Sequence, residues 1–145
     1  PDDAEIILAH SDIHESESEF YTCLQEAYFS SIVARINKSS SITYNDIGLY
    51  RLIIPQKDDR TLLAFADDII AALQTDENLL STVSDFLAMD GNINEVAEAQ
   101  RCHPNTIRHR IKKAKDITGY ENTSYFDFIS AMSIAVHFTR IKGIR

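Results

Sequence analysis

The chain has 145 residues, of which 44% are apolar and 25% charged. This is the composition of an ordinary folded domain, long enough to bury a core without disulfide staples. Four Gly and three Pro exclude collagen-like and low-complexity classes, and no apolar run approaches the ~18 residues of a membrane span or forms a signal peptide. The net charge of −8 argues against a nucleic-acid partner only until it is divided along the chain. Residues 1–90 carry 17 acids and 5 bases, and residues 91–145 carry 5 acids and 9 bases. Arg101, Arg108, Arg110, Lys112, Lys113 and Lys115 lie in one stretch that holds no acid. Phosphate contact depends on such a local patch rather than on total charge, although on charge alone a solvated helix face is the usual reading. Cys23 and Cys102 are the only cysteines. Two thiols this far apart make no disulfide framework, and a cytoplasmic, reducing setting is expected. The chain begins at Pro1 rather than Met, so a fragment or a processed product is expected.

In chain order, Glu5-Ile-Ile-Leu-Ala9 is a short apolar run that reads as a strand. A single strand cannot stand alone, and its partners are expected upstream. Ser16 with Glu19 three residues on has the form of a capping box. The helix that follows carries Phe20, Leu24, Ala27 and Ser31 on one stripe and Phe29, Ile32, Val33 and Ile36 on another, and ends in the polar break at Asn37–Ser41. Asp46–Ile54 is ambiguous between a short helix capped by Asp46 and a strand, with Pro55 stopping either. From about Asp59 the helical period is clear, since Leu62, Phe65, Ala66, Ile69, Ile70 and Leu73 share one face. Thr75 or Asp76 is expected to cap a next helix with face Leu79, Leu80, Val83, Phe86 and Leu87. Gly91 sits where a left-handed cap is wanted. A last helix from about Ser124 to Ile141 is apolar on two stripes, one with Tyr125, Phe128, Met132 and Ala135, the other with Phe126, Ile129 and Val136. Such a helix is buried on two sides, within its own domain or against a partner.

The stretch Asn92–Gly119 carries the chemistry. Asn92 can cap a short helix from Ile93 to about Gln100, with Glu95 completing a box-like arrangement. A tight turn through Arg101, Cys102 and His103 follows, and Pro104 suits the first position of a second helix. There Ile107, Ile111 and Ala114 define the buried side, Ala97 is small where two helices must cross closely, and Thr118-Gly119 ends the helix. Helix, short turn, helix is the helix-turn-helix pattern. With Ile107 and Ile111 inward, His103, Asn105, Arg108, His109 and Lys112 point outward, flanked by Lys113 and Lys115. All can donate hydrogen bonds, as a major-groove helix requires. Thr106 lies at the helix N-terminus, which can approach a phosphate.

These residues carry a family resemblance. His103-Pro-Asn-Thr-Ile-Arg-His-Arg-Ile111, followed by Lys112-Lys-Ala-Lys-Asp-Ile-Thr-Gly119, resembles the C-terminal helix-turn-helix of the PucR/CdaR family of bacterial transcription regulators. That family reads His-Arg-Asn-Thr-Leu-x-Tyr-Arg-Leu and then a basic stretch ending in Gly. Asn105, Thr106, Arg110 and Gly119 match outright, Ile107 and Ile111 are close replacements, and Pro104 and His109 depart from the usual Arg and Tyr. Leu79–Leu87 resembles the helix before the motif, and the last helix resembles the family's apolar closing helix. The recognition unit is similar to that of Fis and the enhancer-binding regulators. Tyr44–Leu52 resembles the junction after the family's degenerate GGDEF-like domain. No Gly-Gly-Asp/Glu-Glu-Phe signature is present, so the resemblance implies no cyclase activity.

Other signals are weaker. His10 and His14 are four apart near Asp12 and Glu15, a spacing that could hold a metal on a helix, but no third strong ligand follows and surface residues are the default. Cys23 in an apolar helical run reads as a structural thiol rather than a nucleophile. His137 reads as a packed side chain. No phosphate loop, catalytic triad or carboxylate pair can be defended. The expectation is therefore a mostly α protein, a helical bundle with a helix-turn-helix and a partial α/β remnant at the N-terminus. Residues 1–56 are expected to be the tail of an upstream GGDEF-like regulatory domain and residues 57–145 the DNA-binding domain. The function expected is sequence-specific DNA binding in transcription regulation, not catalysis, without cofactor, metal or membrane. DNA contact falls to His103, Asn105, Thr106, Arg108, His109, Arg110, Lys112, Lys113 and Lys115. Double-stranded DNA and a homodimer or higher oligomer are the expected partners, with a small-molecule effector acting through upstream domains. The competing reading is a helical interaction module whose basic helix binds an acidic protein.

Overall fold

The computed structural model describes residues 6–142. The protein is mostly helical, as the periodicities indicate. Among the described residues it forms seven α-helices and one two-stranded sheet. It divides into two compact units, one of residues up to Asp59 with His137 and beyond, the other Arg60–Val136.

The first unit is built on β1 (Leu8–His10), α1 (Phe20–Asn37) and β2 (Ser41–Thr43). The two strands pair in parallel, with Leu8, Ala9 and His10 opposite Ser41, Ile42 and Thr43. Parallel pairing needs a long crossover, and α1 supplies it. The partner of the first strand thus lies downstream, not upstream as its isolation in sequence suggested. Glu5, the first residue of that apolar run, lies outside the described residues. Ser16 caps a 3-10 turn at Glu17–Glu19 with a full capping box to Glu19, and this turn leads into α1. Lys38 ends α1 in the left-handed conformation (φ 51°).

Only one of the two apolar stripes of α1 is covered. Phe29, Ile32 and Val33 are buried, whereas Phe20, Leu24, Tyr28 and Tyr21 (84%) are exposed. The Ser30 hydroxyl, fully buried, donates to the His10 carbonyl at 3.0 Å and to the Glu26 carbonyl at 2.9 Å. It ties the end of β1 to the helix. The ambiguous segment resolves into a 3-10 turn (Tyr44–Ile47), a one-turn helix α2 (Tyr50–Ile53) and a second 3-10 turn (Ile54–Gln56). Gly48, at φ 54° and ψ −127°, breaks the path between the first two. Asp46 does not cap a helix; its carboxylate accepts from the Thr43 hydroxyl at 2.6 Å.

The second unit holds α3 (Arg60–Leu73), α4 (Leu79–Ala88), α5 (Ile93–Ala99), α6 (Pro104–Ile117) and α7 as far as Val136, α7 as a whole running Tyr125–Lys142. α3 buries Ala66, Ile69, Ile70 and Leu73 on one face, the period read from its sequence. α4 starts at Leu79, later than a cap at Thr75 or Asp76 would give. The Asp76 carboxylate instead accepts from the Asn78 N–H at 3.0 Å and forms the turn before the helix. The core of this unit joins Phe86 of α4, Val96 and Ala97 of α5 and Ile107 of α6, with Met89, Ile93, Cys102, Ile111 and Ile129 packed on its margin. On α7, Phe128, Met132 and Ala135 are buried, while Tyr125 and Phe126 at its start are exposed. The two-stripe pattern of that helix therefore fails over its first turn.

Candidate nucleic-acid interface

Two short turns set the geometry of α4, α5 and α6. After α4, Asp90 takes the left-handed conformation (φ 51°) and Gly91 follows at φ 79°. The Gly91 N–H returns to the Phe86 carbonyl at 2.8 Å. A Cβ at Gly91 would stand 3.3 Å from the Phe86 ring, so both its backbone and its packing favour glycine. Asn92 then caps α5, its side-chain oxygen accepting from the N–H groups of Asn94 and Glu95 while its amide donates to the Glu95 carboxylate. The reciprocal half of the capping box thus runs between side chains.

At the end of α5, the Arg101 N–H bonds to the Glu98 carbonyl (3.1 Å) and the Cys102 N–H to the Ala97 carbonyl (2.9 Å). This is a Schellman cap with Arg101 as its left-handed residue (φ 51°). It turns the Cys102 side chain onto the core. His103 is the N-cap of α6, with Nδ1 accepting from the Asn105 N–H at 3.1 Å. An accepting Nδ1 leaves Nε2 as the donor of the ring. Pro104 occupies the first helical position, where its missing N–H leaves nothing unpaired. Gly119, at φ 80°, closes α6, and the Tyr120 N–H reaches the Lys115 carbonyl at 2.9 Å.

The rotation of α6 about its axis follows from what it buries. Ile107 and Ala114 are 0% exposed, and Ile111 is partly covered. Asn105, Arg108, His109 and Lys112 are consequently exposed, as is His103 at the helix start, with Thr106 half-buried beside them. Arg108 Nη1 donates to Asn105 Oδ1 at 2.7 Å, so these two side chains form one unit on that face. His109 and Lys112 have no hydrogen-bond or ion-pair partner among the described residues.

The remaining three basic residues expected at the interface are held by the protein itself. Arg110 is half-buried and donates to Gln100 Oε1 at 2.8 Å. Lys113 Nζ lies 2.7 Å from Asp76 Oδ2, and the ammonium beside it keeps the Asp76 carboxyl below its ordinary range, helped by the Asn78 N–H. Lys115 Nζ donates to the Thr123 carbonyl at 2.8 Å. Sequence reasoning missed the partners Thr82, Asp85, Gln100 and Asp76. Thr82 carried one usable signal, a polar residue three after Leu79 on an otherwise apolar stripe.

Elsewhere, His14 is committed to the fold of the first unit. Its Nε2 lies 2.8 Å from Glu26 and its Nδ1 3.5 Å from Glu19. Cys23 and Cys102 are free and half-buried. No helix among the described residues is long and apolar enough to cross a membrane.

Two helices joined by a tight turn, with the second presenting a polar, mostly basic face, define a helix-turn-helix domain. Residues 79–136 match the family model of the PucR C-terminal helix-turn-helix domain. This segment is similar to the helix-turn-helix domain of that family, a likeness that supports a DNA-binding regulator in general. No curated protein and no solved structure matches the chain.

Proposed function

We propose that the chain is the DNA-binding end of a bacterial, cytoplasmic, sequence-specific transcription regulator, with α6 lying in the major groove. Asn105, Arg108 and His109 read base edges, and Lys112 contacts phosphate. His103 and Thr106, at the positive end of the helix, approach the adjoining phosphate. Lys113 and Lys115 join the backbone contacts when phosphate oxygens replace their internal partners. The observation that carries this reading is the coincidence of exposure and chemistry on α6. The face left outward by the burial of Ile107 and Ala114 gathers the hydrogen-bond donors Asn105, Arg108, His109 and Lys112, and its one carboxylate, Asp116, stands at the far end of the helix. The reading is of a binding module rather than an enzyme.

Residues 1–56 are proposed as the tail of an upstream GGDEF-like regulatory domain and residues 57–145 as the DNA-binding domain. The β1–α1–β2 unit with its uncovered aromatic stripe supports the first part. Specific sites are read by paired half-sites about 34 Å apart, which supports a homodimer, with any small-molecule effector acting through upstream domains. The test is a binding titration against random duplex DNA over a range of salt, followed by selection of preferred sequences. The expected result is a linear fall of log affinity with log salt and one enriched motif. Salt-sensitive binding to acidic peptides with none to duplex DNA would replace this reading by that of a protein-interaction module.

A further inference from the structure

Between α4, α5 and α6 runs a chain of hydrogen bonds that the outward face of α6 does not use. Gln100, the C-cap residue of α5, sits at its centre. Its Nε2 donates to Asp85 Oδ2 of α4 at 2.7 Å. Its Oε1 accepts from Arg110 Nη1 of α6 at 2.8 Å and from the Thr82 hydroxyl of α4 at 3.0 Å. Arg110 Nη1 also lies 3.4 Å from that hydroxyl. Thr82 is 0% exposed, and Asp85, Gln100 and Arg110 are half-buried.

The arrangement has one direction only. A carboxylate can only accept and a guanidinium can only donate, so the amide of Gln100 must turn its nitrogen to Asp85 and its oxygen to Arg110. The amide relays between a negative group on α4 and a positive group on α6, and all three helices are pinned at one point. In a partly dry setting each of these bonds is stronger than in water, and the loss of one partner leaves the others unsatisfied. Apolar packing at Ile107 and Ala114 fixes the depth of α6 but is tolerant of small rotations, because dispersion contacts have no directionality. The directional bonds of Arg110 are not tolerant.

We propose that Arg110 is a positioning residue. Through Gln100, Thr82 and Asp85 it sets the rotation and tilt of α6, and so the aim of Asn105 and Arg108, rather than neutralising a phosphate. This rests on the reading of α6 as the DNA-facing helix.

The full chain is tested on a selected duplex and on random duplex, each over a range of salt. The variants are Arg110→Lys, Arg110→Met, Gln100→Met, Thr82→Val and Thr82→Ser, with thermal melts alongside. Arg110→Lys keeps the charge and preserves the stem, so it separates geometry from neutralisation. The expected result is that Arg110→Lys and Gln100→Met each lower the ratio of selected to random affinity about tenfold while leaving the salt slope as in wild type. The double variant falls no further than the worse single one, the signature of a shared network. Thr82→Val falls in the same direction, and Thr82→Ser, which restores the hydroxyl, stays near wild type. Retention of selectivity in Arg110→Lys and Gln100→Met would overturn the proposal, as would an equal loss on both duplexes with a salt slope smaller by about 1 in Arg110→Met. A wild-type chain that binds no duplex would instead overturn the DNA reading on which the proposal stands.

Discussion

Asp76, in the turn before α4, holds Lys113 of α6 at 2.7 Å, so one of the bases flanking the outward face of α6 is already neutralised by the protein. The pair is partly exposed, and surface pairs of this kind contribute little to stability. Its effect is expected on binding. Asp76→Asn frees Lys113 and removes a negative charge from the edge of the interface. Affinity for random duplex should rise, and the salt slope should steepen by about 1. Lys113→Ala added to this variant should return the slope to its starting value. An unchanged slope in Asp76→Asn would show that Lys113 does not reach phosphate.

Arg108 and Asn105 are joined at 2.7 Å on the exposed face. Arg108→Ala should cost about 1–3 kcal/mol on a preferred duplex if the guanidinium is bidentate to a guanine, and should relax base preference at that position. Binding competition with single-base variants of the duplex reads this directly. Asn105→Ala leaves Arg108 without its brace and should weaken the same base preference, which is the mark of a shared unit.

Ile107 is fully buried, whereas Ile111 sits on the margin of the core. Ile107→Ala should destabilise the second unit by about 2–5 kcal/mol through lost contacts and a cavity. Ile111→Ala should cost clearly less, because its neighbours on the open side can close in and water already reaches it. Denaturant unfolding of the two variants supplies the comparison, and equal losses would mean that α6 is rotated from the position described.

These contrasts show how far the sequence could be read. The period of α3, the capping box at Ser16, the cap at Asn92, Pro104 at the start of α6 and Gly119 at its end were legible because each is a local rule. The partner of β1 was not, since Ser41-Ile-Thr43 is three residues in a serine-rich break and only tertiary proximity to α1 makes it a strand. The Asp46–Ile54 segment stayed ambiguous because its outcome turned on the backbone of Gly48. Helical phase correctly placed Asn105, Arg108, His109 and Lys112 on the outside. It could not place the ends of Arg110, Lys113 and Lys115, because periodicity fixes where a Cβ points and not where a long side chain finds its partner. Gln100, Asp76 and the Thr123 carbonyl came from three separate places along the chain.

His14 bridges Glu26 and Glu19 in the first unit. The hydrogen bond to Glu26 raises its pKa above the ordinary 6.5, against the opposing effect of burial and with help from Glu19. A group whose pKa is raised on folding contributes stability that is complete below its unfolded pKa and is lost as pH rises through the folded one. The first unit should therefore weaken as pH rises above about 6.5. Amide exchange at Asp12, whose N–H donates to the same Glu26 carboxylate at 2.9 Å, should quicken over that range beyond the intrinsic pH effect. His14→Asn should remove the excess. A wild-type profile no steeper than that of the variant would refute the assignment.

The parallel pairing of β1 with β2 has a kinetic consequence. Leu8 meets Ser41 only after all of α1 has been laid down between them, so the ends of a long loop must be brought together before any strand bond is formed. The helices α4, α5 and α6, by contrast, are joined by turns of a few residues, and their contacts are local in sequence. Local contacts form first and long-range pairing lags. After dilution from denaturant, pulse labelling should find the Val96 N–H, bonded to the Asn92 carbonyl, protected before the Leu8 N–H, bonded to the Ser40 carbonyl. During synthesis the β1–α1–β2 unit emerges before α4, α5 and α6, so the order of emergence is the reverse of the order in which the two units close.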